Sequence, residues 1–285
     1  MDRSNLTQKD NVILSVVIPC FNHGEFLLET IASVEACQGD FYEIIIVNDG
    51  STDPATVELM NDLKQKGYWV IDQPNQGQAT ARNTGIQAAN GRYIIPLDSD
   101  NKIRTELMQK GIEILDRQPE VAVVYGDLRL FNDRGKVRTF TIQPGCGNAE
   151  YISEQEWIWK LPDFDLNRLV LFGYLDACAV FRKSVWQECQ GYDTNIPVNG
   201  FEDWELWLNM AKKGWKFHHV PSVLHDYRFI YDPLLKEWHV PKKRQIALRY
   251  IRKKHFDLFL KAYLWRTFIL LPRKVPRKIL HLLKR

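Results

Sequence analysis

From residue 12 to 127 short apolar runs alternate with stretches of helical spacing, and this alternation constrains the fold more than any other feature of the chain. "VILSVVIP" (12–19), "EIIIVND" (43–49), "YWVID" (68–72), the run from Arg92 to Leu97 and "VAVVYGD" (121–127) read as strands. Between them lie "EFLLETIASVEAC" (25–37), a helix opened by Pro54 in "PATVELMNDLKQKG", "QATARNTGIQAANG", which Gly91 is placed to cap, and a helix over about 104–117. Apolar strands separated by helices demand a parallel sheet covered on both faces, with ligands collecting at the carboxyl ends of the strands. The expected class is therefore α/β, a Rossmann-like, mostly parallel sheet flanked by helices. Residues 132–175 are less regular, with turn residues at "QPGCGN" and aromatics in "EWIWK", and read as an insertion over the sheet edge. Pattern returns at "ACAVFRKSVW", in a helix within "FEDWELWLNMAKKG" and in the strand-like "WKFHHVPSVL".

The fourth strand ends in "DSDN". Side chains alternate along an extended chain, so Asp98 and Asp100 point the same way with Cα atoms roughly 6.6 Å apart. Like charges at that spacing repel unless a cation or many donors lie between them. Either a metal sits there or the pair is a solvated turn.

Bulk properties set the frame. A chain of 285 residues with 45% hydrophobic composition can build one large domain with an appendage. Its five cysteines are scattered, with no Cys-x-x-Cys pair, which argues for a reducing compartment and against a disulfide framework or a zinc site. The polar start "MDRSNLTQKDN" has no apolar h-region, so export by the usual route is not expected. The net charge of +3 hides an asymmetry: residues 236–285 hold 16 basic against two acidic side chains, leaving 22 against 33 in the first 235. That boundary is the sharpest shift in composition.

Polar groups recur where the strands end: "PCFNHGEF", "NDGST", "DQPNQGQATARN" and "DSDN". In their order and spacing, "SVVIPCFN", "IIIVNDGSTD", "NQGQATARNTGI", "YIIPLDSDN" and "GFEDWELWLNMAKKGW" resemble the family 2 glycosyltransferases of GT-A fold, over about residues 13–230. The resemblance implies a catalytic unit over 1–235, divided into a nucleotide-binding half (about 12–127) and an acceptor half (about 128–235); the basic helical tail over 236–285 lies outside it and is read from the shift in charge. It implies an inverting, metal-dependent transfer from a nucleotide-diphosphate sugar, with UDP favoured, to a hydroxyl of a glycan or lipid-linked acceptor.

It also assigns roles. Asp49 would accept a hydrogen bond from the donor's base, the alternative being a turn Asp that bonds its own backbone. Pro19, Cys20 and Phe21 would line the base pocket; Asn22 joins them there or serves as a loop or cap residue. Gly77 would let the backbone approach the nucleotide or simply form a turn, and Arg82 would fork onto an anion or hold an acidic residue in place. Asp98 and Asp100 would be the DxD motif, Asp98 reaching the ribose and both carboxylates serving Mn²⁺ or Mg²⁺. His225 in "PSVLHDYR" occupies the place where some relatives supply a further metal ligand, which would favour Mn²⁺; a structural histidine is the alternative. Asp203 would be the general base, with Glu202 binding acceptor or steering it; an inert acidic pair at a helix N-terminus is the bland option.

The tail mixes Lys and Arg with Leu, Phe and Trp265. Its longest apolar stretch, Leu258 to Leu271, is broken by Lys261 and Arg266 and is too short to span a bilayer. It suits a helix lying on an anionic membrane, hence a cytoplasmic enzyme held at the inner face, or else an amphipathic helix packed on the domain. No nucleic-acid motif accompanies the charge. Against the leading reading stands a non-catalytic nucleotide-sugar-binding or scaffold protein of the same fold. A sugar nucleotidyltransferase would need a Gly-rich basic loop after the first strand. A processive synthase would need several membrane spans and Q-x-x-R-W. The sequence has neither.

Overall fold

Leu14 to Cys20 forms seven consecutive residues without an exposed side chain, and a run buried on both faces belongs in the middle of a covered sheet. The computed structural model of the protein describes residues 11–134, 137, 146–198, 200–229 and 241–270. There this run is β1 (Leu14–Cys20), paired in parallel with β2 (Tyr42–Asp49) on one side and β4 (Tyr93–Pro96) on the other. β3 (Trp69–Gln73) extends the parallel set beyond β2. Alternate side chains enter two cores: Val17, Ile45 and Val47 face one, Val16, Ile18 and Ile46 the other. Each such side chain contributes roughly 1.5–3 kcal/mol relative to leaving it exposed.

The crossovers are α1 (Leu27–Glu35), α2 (Pro54–Gln65) and α3 (Gln78–Ala88). Pro54 opens α2 as expected, and Asp53 caps it by accepting the Thr56 N–H at 2.8 Å. α3 crosses the sheet closely, because a Cβ on Gly85 would lie 2.4 Å from Val17 Cγ1. Gly91 does not cap α3, which ends at Ala88. A Cβ there would come within 2.7 Å of the Leu14 and Ser15 backbone, so that glycine exists for a close approach to β1.

Beyond β4 the sheet departs from the parallel pattern. β5 (Lys102–Ile103) and α4 (Thr105–Arg117) lead into β6 (Val121–Phe131), and β9 (Val180–Arg182) inserts antiparallel between β4 and β6. Among the described residues ten strands form one sheet, eight of them in the order β3–β2–β1–β4–β9–β6–β10–β5, where β10 spans Lys216–Arg228, with a two-strand hairpin joined at the side of β6. Within residues 132–175 the expected insertion is a hairpin, β7 (Asn148–Ser153) and β8 (Glu156–Lys160), followed by α5 (Leu166–Phe172); β8 pairs with the end of β6. α6 (Lys183–Glu188) and α7 (Glu202–Lys212) complete the main body.

Of the basic tail, 236–240 and 271–285 lie outside the described residues. The remainder is α8 (Pro241–Lys254) and α9 (Phe256–Leu270). Ala247, Ile251, Leu258 and Ala262 are buried, and α9 packs against α5. One face of this segment is thus docked on the body. No helix among the described residues is long and apolar enough to cross a membrane.

Candidate active site

The carboxyl ends of β1, β2 and β4 open into a cleft of about 1250 Å³, whose far wall is built from α5, α7 and the two tail helices. Pro19, Cys20, Phe21, Asp49, Gly77, Arg82, Asp98, Asp100, Glu202 and Asp203 all line it. These expected site residues come from five separate stretches of chain, gathered by the crossovers. Phe21 offers an exposed ring, whereas burial pushes the Cys20 thiol up to about 11, so it stays a neutral wall.

Asp49 ends β2 and is buried. Its carboxylate accepts the Gln76 N–H at 2.9 Å, the Gly77 N–H at 2.9 Å and the Gln73 amide at 2.7 Å, so it ties the β3–α3 loop to the strand end. The local turn bond belongs to its neighbour: Asn48 accepts the Ser51 N–H at 3.1 Å. Gly77, at φ 87°, precedes α3 in a conformation that favours glycine. Asn22, also at positive φ, is not a cleft residue. Its Oδ1 accepts from Thr52 N at 2.7 Å and Asp53 N at 2.8 Å, a clamp between two loops.

The "DSDN" turn is held from beneath. The Thr30 hydroxyl lies 2.9 Å from the Ser99 carbonyl and 2.8 Å from that of Asn101. Arg228 Nε donates to the Asp100 carbonyl at 3.0 Å, with its guanidinium packed between the Phe26 and Phe131 rings. Asp98 accepts from Gln78 at 2.8 Å and from Arg82 at 2.6 Å. Burial, and then the charge of Asp98, push the Asp100 carboxyl up to about 7. This is a carboxylate whose charge is under-compensated.

Arg82 sits almost wholly buried between Asp98 and Glu202, donating to Glu202 at 2.8 Å. Burial opposes its charge, but the two carboxylates outweigh that and raise its pKa. Glu202 is occupied on both oxygens, because Oε2 also accepts the Gly200 and Phe201 N–H groups at 2.7 and 2.9 Å. Asp203 differs: Oδ1 accepts its own neighbour's Trp204 N–H at 2.7 Å, and the carboxylate lines the cleft. Burial, reinforced by the charge of Glu202, drives the Asp203 pKa well above the usual carboxylate range.

His225 is buried in β10 and is not among the cleft-lining residues; its Nε2 lies 2.9 Å from Asp176 Oδ2. Asp176 does line the cleft. Burial would raise its pKa, but the bond and charge of His225, the Ala177 amide and the Arg82 charge together outweigh burial and lower it. Sequence reasoning missed Gln78, Asp176 and Arg228, whose partners are distant in the chain and which carry no local motif. Among the described residues no three His, Cys, Asp or Glu side chains form a group that could hold a metal. What the cleft offers is two carboxylates, Asp98 and Asp100, facing open space, a set that suits Mg²⁺ or Mn²⁺ when substrate phosphates and water complete the shell.

The comparisons with known proteins bear on family and fold. A teichuronic acid biosynthesis glycosyltransferase of Bacillus subtilis, named TuaG, is 25% identical over 247 residues, covering 86% of this chain and 90% of that protein. The poly-beta-1,6-N-acetyl-D-glucosamine synthase of Staphylococcus aureus is 28% identical over 234 residues, and the match spans 49% of that longer protein. Among solved structures, S. aureus TarS 1–349 in complex with UDP-GlcNAc superposes with a TM-score of 0.65 at 17% identity, over 90% of this chain and 73% of that one. That likeness shows the GT-A fold. The model of glycosyl transferase family 2 matches residues 15–189, more than half of the chain, and the protein belongs to that family.

Proposed function

We propose that the protein transfers a sugar, with inversion, from a UDP-sugar to a hydroxyl of a glycan or lipid-linked acceptor, and that Asp203 is the general base. The single observation that carries this reading is one cleft in which the Asp49 end, the Asp98–Asp100 pair and Asp203 are all on the wall, with Arg82 bonded to both Asp98 and Glu202. The UDP preference is supported by the TarS complex with UDP-GlcNAc.

In this reading the base lies against Pro19, Cys20 and Phe21 beside Asp49, and Asp98 meets the ribose. Asp98 and Asp100 would hold Mn²⁺ or Mg²⁺, which would supply Lewis-acid stabilisation of the leaving diphosphate. His225, bonded to Asp176 through Nε2 and not among the cleft-lining residues, is given no ligand role in this reading. Asp203 accepts the proton of the acceptor hydroxyl; that oxygen bonds to the anomeric carbon as the bond to the diphosphate oxygen breaks, and UDP departs. One displacement inverts the configuration. The raised pKa of Asp203 makes its carboxylate a stronger proton acceptor than an ordinary aspartate. Glu202, saturated by Arg82 and two amides, positions the start of α7 and leaves Asp203 as the group able to take the proton. The division into a catalytic unit over 1–235 and a tail over 236–285 belongs to this proposal, as does peripheral contact of the tail with an anionic membrane.

The test is a panel of nucleotide sugars incubated with purified protein and Mn²⁺ or Mg²⁺, reading nucleoside diphosphate release. We expect one UDP-sugar to be turned over with metal, the activity to be lost in Asp100→Ala, and turnover to fall by about 10²–10⁴-fold in Asp203→Asn. Binding of a nucleotide sugar without turnover, with glycan and lipid-linked acceptors both supplied, would move the protein to a non-catalytic binding role.

A further inference from the structure

The cleft is larger than the roughly 300–1,000 Å³ that one small-molecule ligand fills, and the tail's share of its wall carries charge of one sign. Every carboxylate on its wall, from Asp49 through Asp98, Asp100 and Asp176 to Glu202 and Asp203, lies in the first 203 residues. The tail helices contribute Arg244, Leu248 and Arg252 from α8 and Phe259, Tyr263 and Arg266 from α9, three guanidinium groups and no acid. The spacings i, i+4, i+8 and i, i+4, i+7 put each triplet on one helical face. These residues lie beyond the 15–189 stretch that the family model matches.

This wall is fixed relative to Asp203. Phe259 packs edge-on against Trp204 with ring centroids 6.0 Å apart. Glu205, fully buried on α7, accepts from His255 and from Lys254 at 2.8 Å each, and Lys212 pairs with Asp257 at 2.7 Å. Arg252 is held over the Phe259 ring, 5.9 Å from its centroid. The donor's nucleotide end is assigned to Asp49 and its phosphates to Asp98 and Asp100, so a ligand group reaching the tail wall comes from the other substrate.

We propose that the α8–α9 wall binds an anionic group, phosphate or carboxylate, on the acceptor, next to an apolar portion that rests on Leu248, Phe259 and Tyr263. This rests on the transferase reading for its assignment to the acceptor. Guanidinium forks suit both oxyanions, and aromatic and aliphatic neighbours suit the chain or ring that carries them.

The experiment is calorimetric binding to the full chain with UDP and Mg²⁺ saturating, using octyl phosphate, octanoate and neutral octyl glucoside as probes. Wild type should bind at least one anion more tightly than the glucoside, and Arg252→Gln/Arg266→Gln should weaken that anion by about tenfold or more while UDP affinity is unchanged. Preference for octyl phosphate assigns a phosphate-bearing acceptor, and preference for octanoate an acidic sugar. Lys253→Gln/Lys261→Gln, outside the cleft lining, should leave anion binding intact. The proposal is overturned if neither anion outbinds the glucoside, if the lysine pair matters as much as the arginine pair, or if the arginine variant loses UDP instead. UDP binding, titrated first and alone, tests the transferase reading separately: its failure with arginine-dependent anion binding retained would sink the donor assignment and leave the anion site standing.

Discussion

Glu202 and Asp203 are adjacent at the start of α7, yet the fold gives them opposite surroundings. Glu202 is bonded by Arg82, Gly200 and Phe201, whereas Asp203 is left facing the cleft with its pKa raised by burial and by Glu202. A raised folded-state pKa means that the native protein holds a proton more readily than the unfolded chain, so stability is lost as pH rises through that pKa. Asp203→Asn should therefore raise the melting temperature at neutral pH, while lowering turnover by about 10²–10⁴-fold as a lost general base. The wild-type pH–rate profile should fall on its acid side above the ordinary carboxylate range. A variant that loses activity and stability together would argue for a structural role. Arg82 has the reverse balance: Arg82→Ala leaves Glu202 buried without its cation, and urea denaturation should report a loss of about 3–5 kcal/mol. At this scale the sequence was readable where chemistry is local. Asp98 and Asp100 are one residue apart and announce themselves; Arg228 reaches the Asp100 carbonyl across 128 residues, and nothing near either position signals it.

Among the elements, α3 is where backbone packing and site geometry meet. Gly85 lets the helix approach β1 and β2, and one turn earlier the same helix carries Arg82 to its two carboxylates. Alanine is the better helix former by about 1 kcal/mol, but its Cβ would fall 2.4 Å from Val17 Cγ1 and 3.0 Å from Val47 Cγ2. Overpacking of that kind costs about 1–3 kcal/mol, so Gly85→Ala should lower stability in thermal denaturation and raise the donor KM as Arg82 is displaced. Unchanged stability would show that the sheet yields instead. The elements legible in the sequence were those with clean periodicity: β1 to β4 with the helices between them, α4, β6, α7 and β10. β9 lay inside the patterned stretch "ACAVFRKSVW" without bounds of its own, and β5, with two residues, is too short to show any pattern. The β7–β8 hairpin is exposed along much of its length and so lacks the buried alternation that marks a strand.

Over the whole molecule the charge divides between an acidic body and a basic tail, and the described tail has both buried and exposed apolar side chains. Inward, Ala247, Ile251, Leu258 and Ala262 are buried; outward, Ile246, Phe256 and Leu260 are exposed, at 46%, 65% and 46%, beside exposed Lys253 and Lys261. The composition of residues 236–285 showed that the tail was basic and amphipathic but could not say which body surface it would meet, because its docking partners, Glu205 and Trp204, lie on α7. Exposed large apolar side chains on helices that also expose lysines are the composition of a surface that rests at the headgroup boundary of an anionic bilayer. Each lysine near such a surface is worth about 1 kcal/mol and is screened by salt. The proposed membrane contact therefore predicts co-sedimentation with phosphatidylglycerol vesicles at low salt, release at high salt, and little binding to phosphatidylcholine. Phe256→Ser/Leu260→Ser should weaken partitioning by about tenfold, since together they remove part of the roughly 1.5–3 kcal/mol that each buried apolar side chain can contribute. Because neither residue lines the cleft, turnover of a water-soluble acceptor should be unaffected. Equal binding to neutral vesicles, or none to anionic ones, would leave the outward face without a bilayer role and the basic charge to the cleft alone.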